Sequence, residues 1–103
     1  MGEDYVERVL AVVEQIPPGR VCTYGAIAEL MRELGFGGGP RNVGTVMALH
    51  GGGVPWWRVV RSDGSLPESH LGEARQAYLA EATPLRVSGS VDLVRAFWEP
   101  TGE

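Results

Sequence analysis

Residues 23–50 read TYGAIAELMRELGFGGGPRNVGTVMALH, which is two helical patterns on either side of a glycine-rich stretch. The first pattern has an apolar stripe at helical spacing, formed by Ile27, Leu30, Met31 and Leu34. Thr23 can cap the start of this helix, and Gly35 can end it in the left-handed conformation. Pro40 fits the first turn of the second helix, residues 41–50, which turns Val43, Val46 and Met47 inward.

Two helices joined by a short glycine-containing turn predict a helix-turn-helix. An ordinary helical hairpin in a small bundle has the same pattern and is the alternative. A positive side chain, Arg41, at the start of the second helix favours the nucleic-acid-binding version. The helix dipole opposes a cation at that position, so its placement there needs a reason.

Two further helices are predicted around this unit. Asp4 can cap a first helix over residues 5–15, and Pro17-Pro18-Gly19 can end it. The apolar positions of this helix are Val6, Val9, Leu10 and Val13. A fourth helix over residues 71–82 would place on one face Leu71, Ala74, Tyr78 and Ala82. The fold class that follows is mainly α (α+β), a winged-helix-like helix-turn-helix domain with short strands.

The chain end carries two adjacent aromatic residues, Phe97 and Trp98. Such a pair is costly to leave in water, so we expect the tail to dock back onto the domain.

Length and composition predict one domain over residues 1–103. Hydrophobic residues make up 44% of the chain, yet no apolar run approaches the roughly 20 residues of a membrane span. The acidic start Met1-Gly2-Glu3-Asp4 lacks the basic flank of a secretory signal. We therefore expect a cytoplasmic protein, in a bacterium one of the cytoplasm and nucleoid, with no membrane partner.

The net charge of −4 counts against a strong general affinity for nucleic acid. The charges are unevenly distributed, however. Residues 54–66 contain two arginines and one aspartate, and Arg41 is the one Asp, Glu, Lys or Arg in residues 35–53. This pattern permits a small neutral-to-basic face on an acidic body, with weak non-specific binding because few phosphates can be neutralised.

The single cysteine, Cys22, excludes an internal disulfide and any multi-cysteine metal site. Its surroundings favour the role of a small buried hydrophobe over that of a reactive thiol. His50 and His70 are too far apart for a local metal motif, and each is expected at a helix end or on the surface. We expect neither a metal nor a cofactor.

Residues 54–60, VPWWRVV, complete a set of ordered motifs. The earlier members are Ile16-Pro17-Pro18-Gly19-Arg20-Val21, Thr23-Tyr24-Gly25 and Arg41-Asn42-Val43-Gly44. In order and approximate spacing they resemble the DNA-binding domain of the O6-alkylguanine-DNA alkyltransferases, whose active-site strip reads Pro-Cys-His-Arg-Val. Taken without the other motifs, the strip could equally be a hydrophobic strand with one tryptophan on each side.

In that alignment Trp56 occupies the position of the alkyl-accepting cysteine and Trp57 that of the histidine base. A tryptophan at the cysteine position marks the alkyltransferase-like proteins. An indole offers neither a low-pKa proton nor a nucleophile comparable to a thiolate, so the resemblance implies a protein without catalytic residues.

The resemblance implies a non-enzymatic sensor that binds duplex DNA containing O6-alkylguanine. It would dock a helix-turn-helix in the minor groove, flip the damaged nucleotide and direct it to nucleotide excision repair. The implied partners are damage-recognition proteins of that pathway. The DNA-binding residues would be Thr23, Tyr24, Gly25, Arg41, Asn42, Gly44 and Ala48, and the lesion pocket would comprise Tyr24, Val54, Pro55, Trp56, Trp57, Arg58, Val60 and Ser62.

Several roles are implied for these side chains. Arg41 would enter the vacated base stack, and Tyr24 would press on the phosphate beside the flipped nucleotide. Trp56 would form an apolar pocket wall, while Arg58 is expected to organise loop carbonyls or acidic side chains. Some relatives carry an arginine further along that stacks on the alkylated guanine, but residues 67–70, PESH, have none.

Two alternatives remain at this stage. An active transferase could accept the alkyl group on Cys22 or a tyrosine. A generic helix-turn-helix regulator would read sequence in the major groove, usually as a dimer with two half-sites. Because no dimerisation helix is evident, we expect a monomer.

Overall fold

The computed structural model describes residues 2–101 and is mainly helical. Its α-helices are α1 (Glu3–Gln15), α2 (Tyr24–Glu33), α3 (Pro40–His50), α4 (Leu71–Glu81) and α5 (Leu93–Ala96). Two short strands, β1 (Cys22–Thr23) and β2 (Val59–Val60), and 3-10 turns at Gly51–Gly53, Trp56–Arg58 and Glu68–His70 complete it. The predicted fold class is confirmed. Of the predicted domain, Met1, Gly102 and Glu103 lie outside the described residues.

The first helix of the helix-turn-helix, α2, begins and ends at the residues that the sequence predicts as its caps. The Thr23 side chain accepts a hydrogen bond from the Ala26 backbone N at 3.0 Å, which satisfies a free donor at the start of α2. Gly35 ends that helix with a φ of +94°, a conformation that glycine adopts without a steric penalty. Val43, Val46 and Met47 are buried along α3, as predicted.

Two helix boundaries differ from the sequence prediction. α1 begins at Glu3 with Gly2 as its N-cap, so Asp4 lies inside the first turn and does not cap it. There its charge still favours the positive end of the helix dipole. α4 ends at Glu81 because Ala82 adopts a left-handed conformation with a φ of 58°. Leu71 was predicted to face inward but is 47% exposed, since the buried stripe of α4 extends no further than Ala74 and Tyr78.

A two-stranded parallel sheet connects the distant parts of the chain. β1 pairs with β2 in the register Cys22 to Val59 and Thr23 to Val60. The tail continues this contact, because the Trp98 backbone N donates to the Val21 carbonyl at 2.8 Å. The predicted docking of the tail is confirmed. The pairing also fixes the start of α2 beside the 3-10 turn that carries the two adjacent tryptophans.

The buried side chains form two clusters. The first lies among α1, α2 and α3 and includes Cys22, whose side chain is fully buried as predicted. The second joins α4 to the tail and consists of Val21, Val60, Leu66, Ala74, Tyr78, Val91 and Ala96. Trp56 packs against both clusters and therefore lies at their junction.

Across residues 2–101, none of the helices combines the length and the apolar character that crossing a bilayer would require.

Candidate functional site

An open cavity of about 640 Å³ lies between α3, the start of α2 and the segment that leads into α4. Its lining consists of Tyr24, Gly44, Met47, Ala48, Gly51, Gly52, Trp56, Leu66, Pro67, Ser69, His70 and Glu73. Small-ligand pockets usually measure roughly 300–1,000 Å³, so this cavity has room for a group the size of a nucleotide base.

Trp56 forms an aromatic wall of the cavity. Its ring packs edge-on against Trp57, with centroids 5.6 Å apart and planes at 85°. The His70 ring lies 5.4 Å from Trp56 at a tilt of 58°. Edge and tilted contacts of this kind are favourable arrangements for aromatic rings. Two rings from distant parts of the sequence thus border the same opening.

The residues that follow Trp56 are held by one carboxylate, that of Glu81. Trp57 donates from Nε1 to Glu81 Oε1 at 3.0 Å, and Arg58 donates from Nη2 to the same oxygen at 2.5 Å. Arg58 Nε and the backbone N of Gly19 both donate to Oε2, each at 3.2 Å. A further bond joins Arg58 Nη1 to the Ile16 carbonyl at 2.8 Å. Arg58 therefore organises a loop carbonyl and an acidic side chain, as predicted.

This network changes the acid–base properties of its members. Burial tends to raise the pKa of Glu81, but hydrogen bonds from Arg58, Gly19 and Trp57 outweigh it and hold that pKa below its ordinary value. Tyr78 donates from its hydroxyl to the Trp57 carbonyl at 2.6 Å, and burial raises its pKa strongly. The strip is thus fixed by the protein itself before any ligand arrives.

Four of the predicted DNA-binding residues lie on α3: Arg41, Asn42, Gly44 and Ala48. Arg41 is exposed, and its side chain has no hydrogen bond or ion pair to any other residue in the range 2–101. Asn42 stabilises the start of α3, because its Oδ1 accepts a hydrogen bond from the Gly39 backbone N at 3.3 Å. Gly44 and Ala48, one helical turn apart, both line the cavity. Their small size would let another molecule approach the helix closely.

Tyr24 is the first residue of α2 and lines the cavity. Burial raises the pKa of its phenol, and the positive charge of Arg61 partly opposes that rise. The hydroxyl is therefore a neutral donor at physiological pH. Of its neighbours, Thr23 is occupied with capping α2 and Gly25 is exposed.

Tyr24 and Trp56 are the predicted pocket residues that line the cavity. The others lie elsewhere: Val54 and Val60 are buried in the core, Trp57 and Arg58 turn to Glu81, Pro55 is half-buried and Ser62 is exposed. The physical reason is the 3-10 turn at Trp56–Arg58. With about three residues per turn, neighbouring side chains point roughly 120° apart, so one of them faces the cavity.

Other lining residues were not singled out from the sequence. Met47 follows Gly44 by three residues on the same helical face, so helical spacing could have identified it. His70 and Glu73 line the cavity because the loop before α4 brings the start of that helix beside it. No periodic pattern in residues 61–70 predicts the path of this loop. The expectation that His70 lies at a helix end and is exposed is confirmed, since it is the N-cap of α4.

In the part of the chain that the structure describes, no three His, Cys, Asp or Glu side chains come together in an arrangement that could hold a metal ion.

Comparison with known proteins gives consistent matches over almost the whole chain. Residues 4–83 match the family described as 6-O-methylguanine DNA methyltransferase, DNA binding domain. A DNA base-flipping protein of Vibrio parahaemolyticus is 33% identical over 102 residues, which cover 95% of this chain and 99% of that protein. The protein of the same name in Escherichia coli is 39% identical over 100 residues, 93% of this chain and 75% of the relative.

The similarity extends to three dimensions. The crystal structure of S. pombe Atl1 in complex with damaged DNA containing O6-carboxymethylguanine superposes with a TM-score of 0.76 at 27% sequence identity. The match covers 97% of this chain and 99% of that one.

Proposed function

The chain belongs to the family of the 6-O-methylguanine DNA methyltransferase DNA-binding domain, and within it to the alkyltransferase-like proteins; from that premise we propose that it is a non-enzymatic sensor of DNA alkylation. It binds duplex DNA containing O6-alkylguanine through α3 in the minor groove. The damaged nucleotide rotates out of the stack into the cavity beside Trp56, and the protein leaves the lesion unrepaired.

The observation that carries this proposal is the position of Trp56. The resemblance assigns this position to the acceptor cysteine, and here its indole borders a cavity with room for a base. A flat aromatic wall can stack on any base, which contributes on the order of 1–3 kcal/mol per base. The same side chain supplies no thiolate, so the site is suited to holding an alkylated base and not to accepting its alkyl group.

Cys22 is a poor substitute acceptor. Its side chain is completely buried, and burial raises its pKa to about 12. The thiol is therefore protonated at neutral pH, and the reactive thiolate form is scarce. The cavity lining does not include it. These properties argue against alkyl transfer to this cysteine.

Nucleotide flipping is assigned to two residues, Arg41 on α3 and Tyr24 at the cavity. Arg41 is exposed and without a partner among residues 2–101, so its guanidinium can enter the vacated stack and hydrogen-bond the orphaned base. Tyr24 presents a neutral hydroxyl and a bulky ring at the cavity edge, where it can crowd the neighbouring phosphate. The small residues Gly44 and Ala48 allow the backbone of α3 to come near the groove floor.

A protein that holds a lesion without removing it must transfer the lesion to another activity. We propose that the bound protein, a monomer, directs the site to nucleotide excision repair through that pathway's damage-recognition proteins. A flipped nucleotide distorts the duplex, and such distortion is a structural signal that a second protein can detect.

The test is a titration of the protein with two duplexes that differ by one O6-methylguanine, followed by tryptophan fluorescence at a fixed salt concentration. We expect preferential binding and quenching with the modified duplex. The protein mass and the methyl group on the DNA should both be unchanged after incubation. Equal affinity for the two duplexes would contradict the sensor, and a gain in protein mass would identify a transferase.

Arg41→Ala is expected to weaken binding to the O6-methylguanine duplex by about tenfold, the loss of roughly one charged hydrogen bond, while thermal stability stays unchanged. The reason is that Arg41 is exposed and does not stabilise the fold. The matched control is Arg8→Ala on the exposed face of α1, which removes the same charge away from the cavity. Similar losses in both variants would show a general charge effect and would remove the assigned role of Arg41.

A further inference from the structure

A second cavity, of about 350 Å³, adjoins the first and shares Leu66 with it. It lies between the turn after β2, the side of α4 and the turn that precedes the tail. Its polar lining consists of Arg61, Ser65, Arg75, Tyr78, Ser88 and Ser90. No aspartate or glutamate is among the described residues that line it. In a chain with a net charge of −4, a concave surface with this composition is a local exception.

The two arginines of this cavity make no hydrogen bond or ion pair in the described part of the chain, although the Asp63 carboxylate lies within electrostatic range of Arg61. Arg58 and Arg20 are each bonded to the protein, the first to Glu81 and the second to the Ala96 carbonyl. By contrast, the side chains of Arg61 and Arg75 have no hydrogen bond or ion pair within residues 2–101. Two like charges facing one concavity repel each other unless an anion lies between them.

Hydrogen bonds from Ser65 lower the pKa of Asp63, and the charge of Arg61 helps to lower it, but this carboxylate makes its hydrogen bonds to Ser65 and not to Arg61. Asp63 accepts hydrogen bonds from the backbone N of Ser65 at 3.0 Å and from its hydroxyl at 2.6 Å. On α4, the positions three and four residues from Arg75 are occupied by Leu71, Gly72, Tyr78 and Leu79, none of which can pair with it. The ligand that these guanidiniums would bind is therefore an anion from outside the chain.

The second cavity is electrostatically connected with the first. Burial raises the pKa of Tyr24, and the charge of Arg61 opposes that rise, so the guanidinium lies within electrostatic range of the phenol. Tyr24 lines the first cavity, and Arg61 lines the second. An anion bound at Arg61 would therefore lie near a group held beside Tyr24.

We propose that the second cavity binds a backbone phosphate of the DNA duplex whose flipped nucleotide occupies the first cavity. Arg61 and Arg75 supply the positive charge. The Ser88 and Ser90 hydroxyls are hydrogen-bonded to each other at 3.0 Å, and the one that accepts in this bond can donate to the phosphate. This inference rests on the proposed DNA binding and extends it to a site beyond α3 and the lesion cavity. A phosphate contact carries no sequence information, so it strengthens binding to modified and unmodified duplexes alike.

The test is the salt dependence of DNA binding by Arg75→Gln. Each phosphate contact contributes about 0.9 to the slope of log affinity against log salt. We expect this variant to bind both duplexes more weakly at low salt, with a slope smaller by about 0.9. Between 50 and 200 mM salt its affinity should therefore fall about threefold less than that of the wild type. Its ratio of affinities for the O6-methylguanine and unmodified duplexes should be unchanged.

Controls separate this inference from the proposed function. Arg75→Lys keeps the charge and should keep the slope, and Arg8→Gln changes a distant charge and should leave the slope at its wild-type value. One outcome is that the wild type prefers the lesion while Arg75→Gln shows the wild-type slope of log affinity against log salt. That result would overturn the phosphate site. An acidic segment of a partner protein would then be the ligand to test. If the wild type shows no lesion preference, the proposed function fails, whatever the slope of the variant.

Discussion

Glu81→Ala is expected to lower the free energy of unfolding by about 3 kcal/mol, the scale for removing one partner of a largely buried ion pair. The Arg58 and Glu81 side chains are each 13% exposed, so water can replace little of the lost interaction. The substitution leaves the Trp57 indole N–H and the Gly19 backbone N without their acceptor. Each unsatisfied buried donor adds a desolvation penalty of about 1–3 kcal/mol, reduced by whatever water enters.

Urea denaturation followed by circular dichroism measures this change. The matched control is Glu7→Ala on the exposed face of α1, which removes a carboxylate with no buried partner and should alter stability by no more than about 0.5 kcal/mol. If the two variants are equally stable, the network around Glu81 does not support the strip.

The same carboxylate gives stability a defined pH dependence. The folded-state pKa of Glu81 is lowered from its ordinary value of 4.5, so ionisation favours the folded protein. This contribution is fully present above pH 4.5 and is lost as the pH falls through the lower, folded-state pKa. Between pH 7 and pH 3 the wild type should therefore lose more stability than Glu81→Gln. Parallel stability profiles for the two proteins would contradict a lowered pKa.

Trp56→Ala is expected to abolish most of the preference for O6-methylguanine, with a loss on the order of 1–3 kcal/mol in binding free energy, or about tenfold to a hundredfold. The indole borders the cavity and lies 5.4 Å from the His70 ring, centroid to centroid. Truncation removes the wall on which the base would stack. Affinity for the unmodified duplex should change much less, because the proposed contacts of α3 with the DNA backbone would remain.

Trp56 also packs against both buried clusters, so its loss can affect folding as well as binding. Trp56→Phe keeps an aromatic face and most of the packing, and it should retain a measurable lesion preference. Thermal melts of both variants reveal any change in folding. A folded Trp56→Ala protein with wild-type preference for the lesion would show that the base is held elsewhere.

The helix-turn-helix was predictable because its signals are local. Thr23 caps α2 through a residue three positions along, and Gly35 ends it through its own backbone. The boundaries of α1 and α4 were less predictable, since Gly2 and Ala82 adopt capping conformations that their residue types do not predict. Boundary residues depend on small energy differences that tertiary contacts can reverse.

The candidate site was predictable in part. The resemblance and the chemistry of the indole directed attention to Trp56, and the structure places it on the cavity wall. The resemblance also placed Trp57 and Arg58 in the lesion pocket, although Arg58 was expected to organise loop carbonyls or acidic side chains. The direction of both side chains depends on Glu81, more than twenty residues later in the chain. The lining by His70 and Glu73 likewise depends on the path of a loop that has no periodic pattern.

The 3-10 turn at Trp56–Arg58 has an evolutionary consequence. It gives adjacent residues separate roles, since Trp56 faces the cavity while Trp57 and Arg58 are hydrogen-bonded to Glu81. Substitutions at position 56 that preserve its packing on the two buried clusters can therefore change the ligand preference of the cavity while the hydrogen bonds of Trp57 and Arg58 to Glu81 remain. A lineage could replace a reactive residue at this position by an inert one in a single step and still keep the neighbouring loop anchored to Glu81.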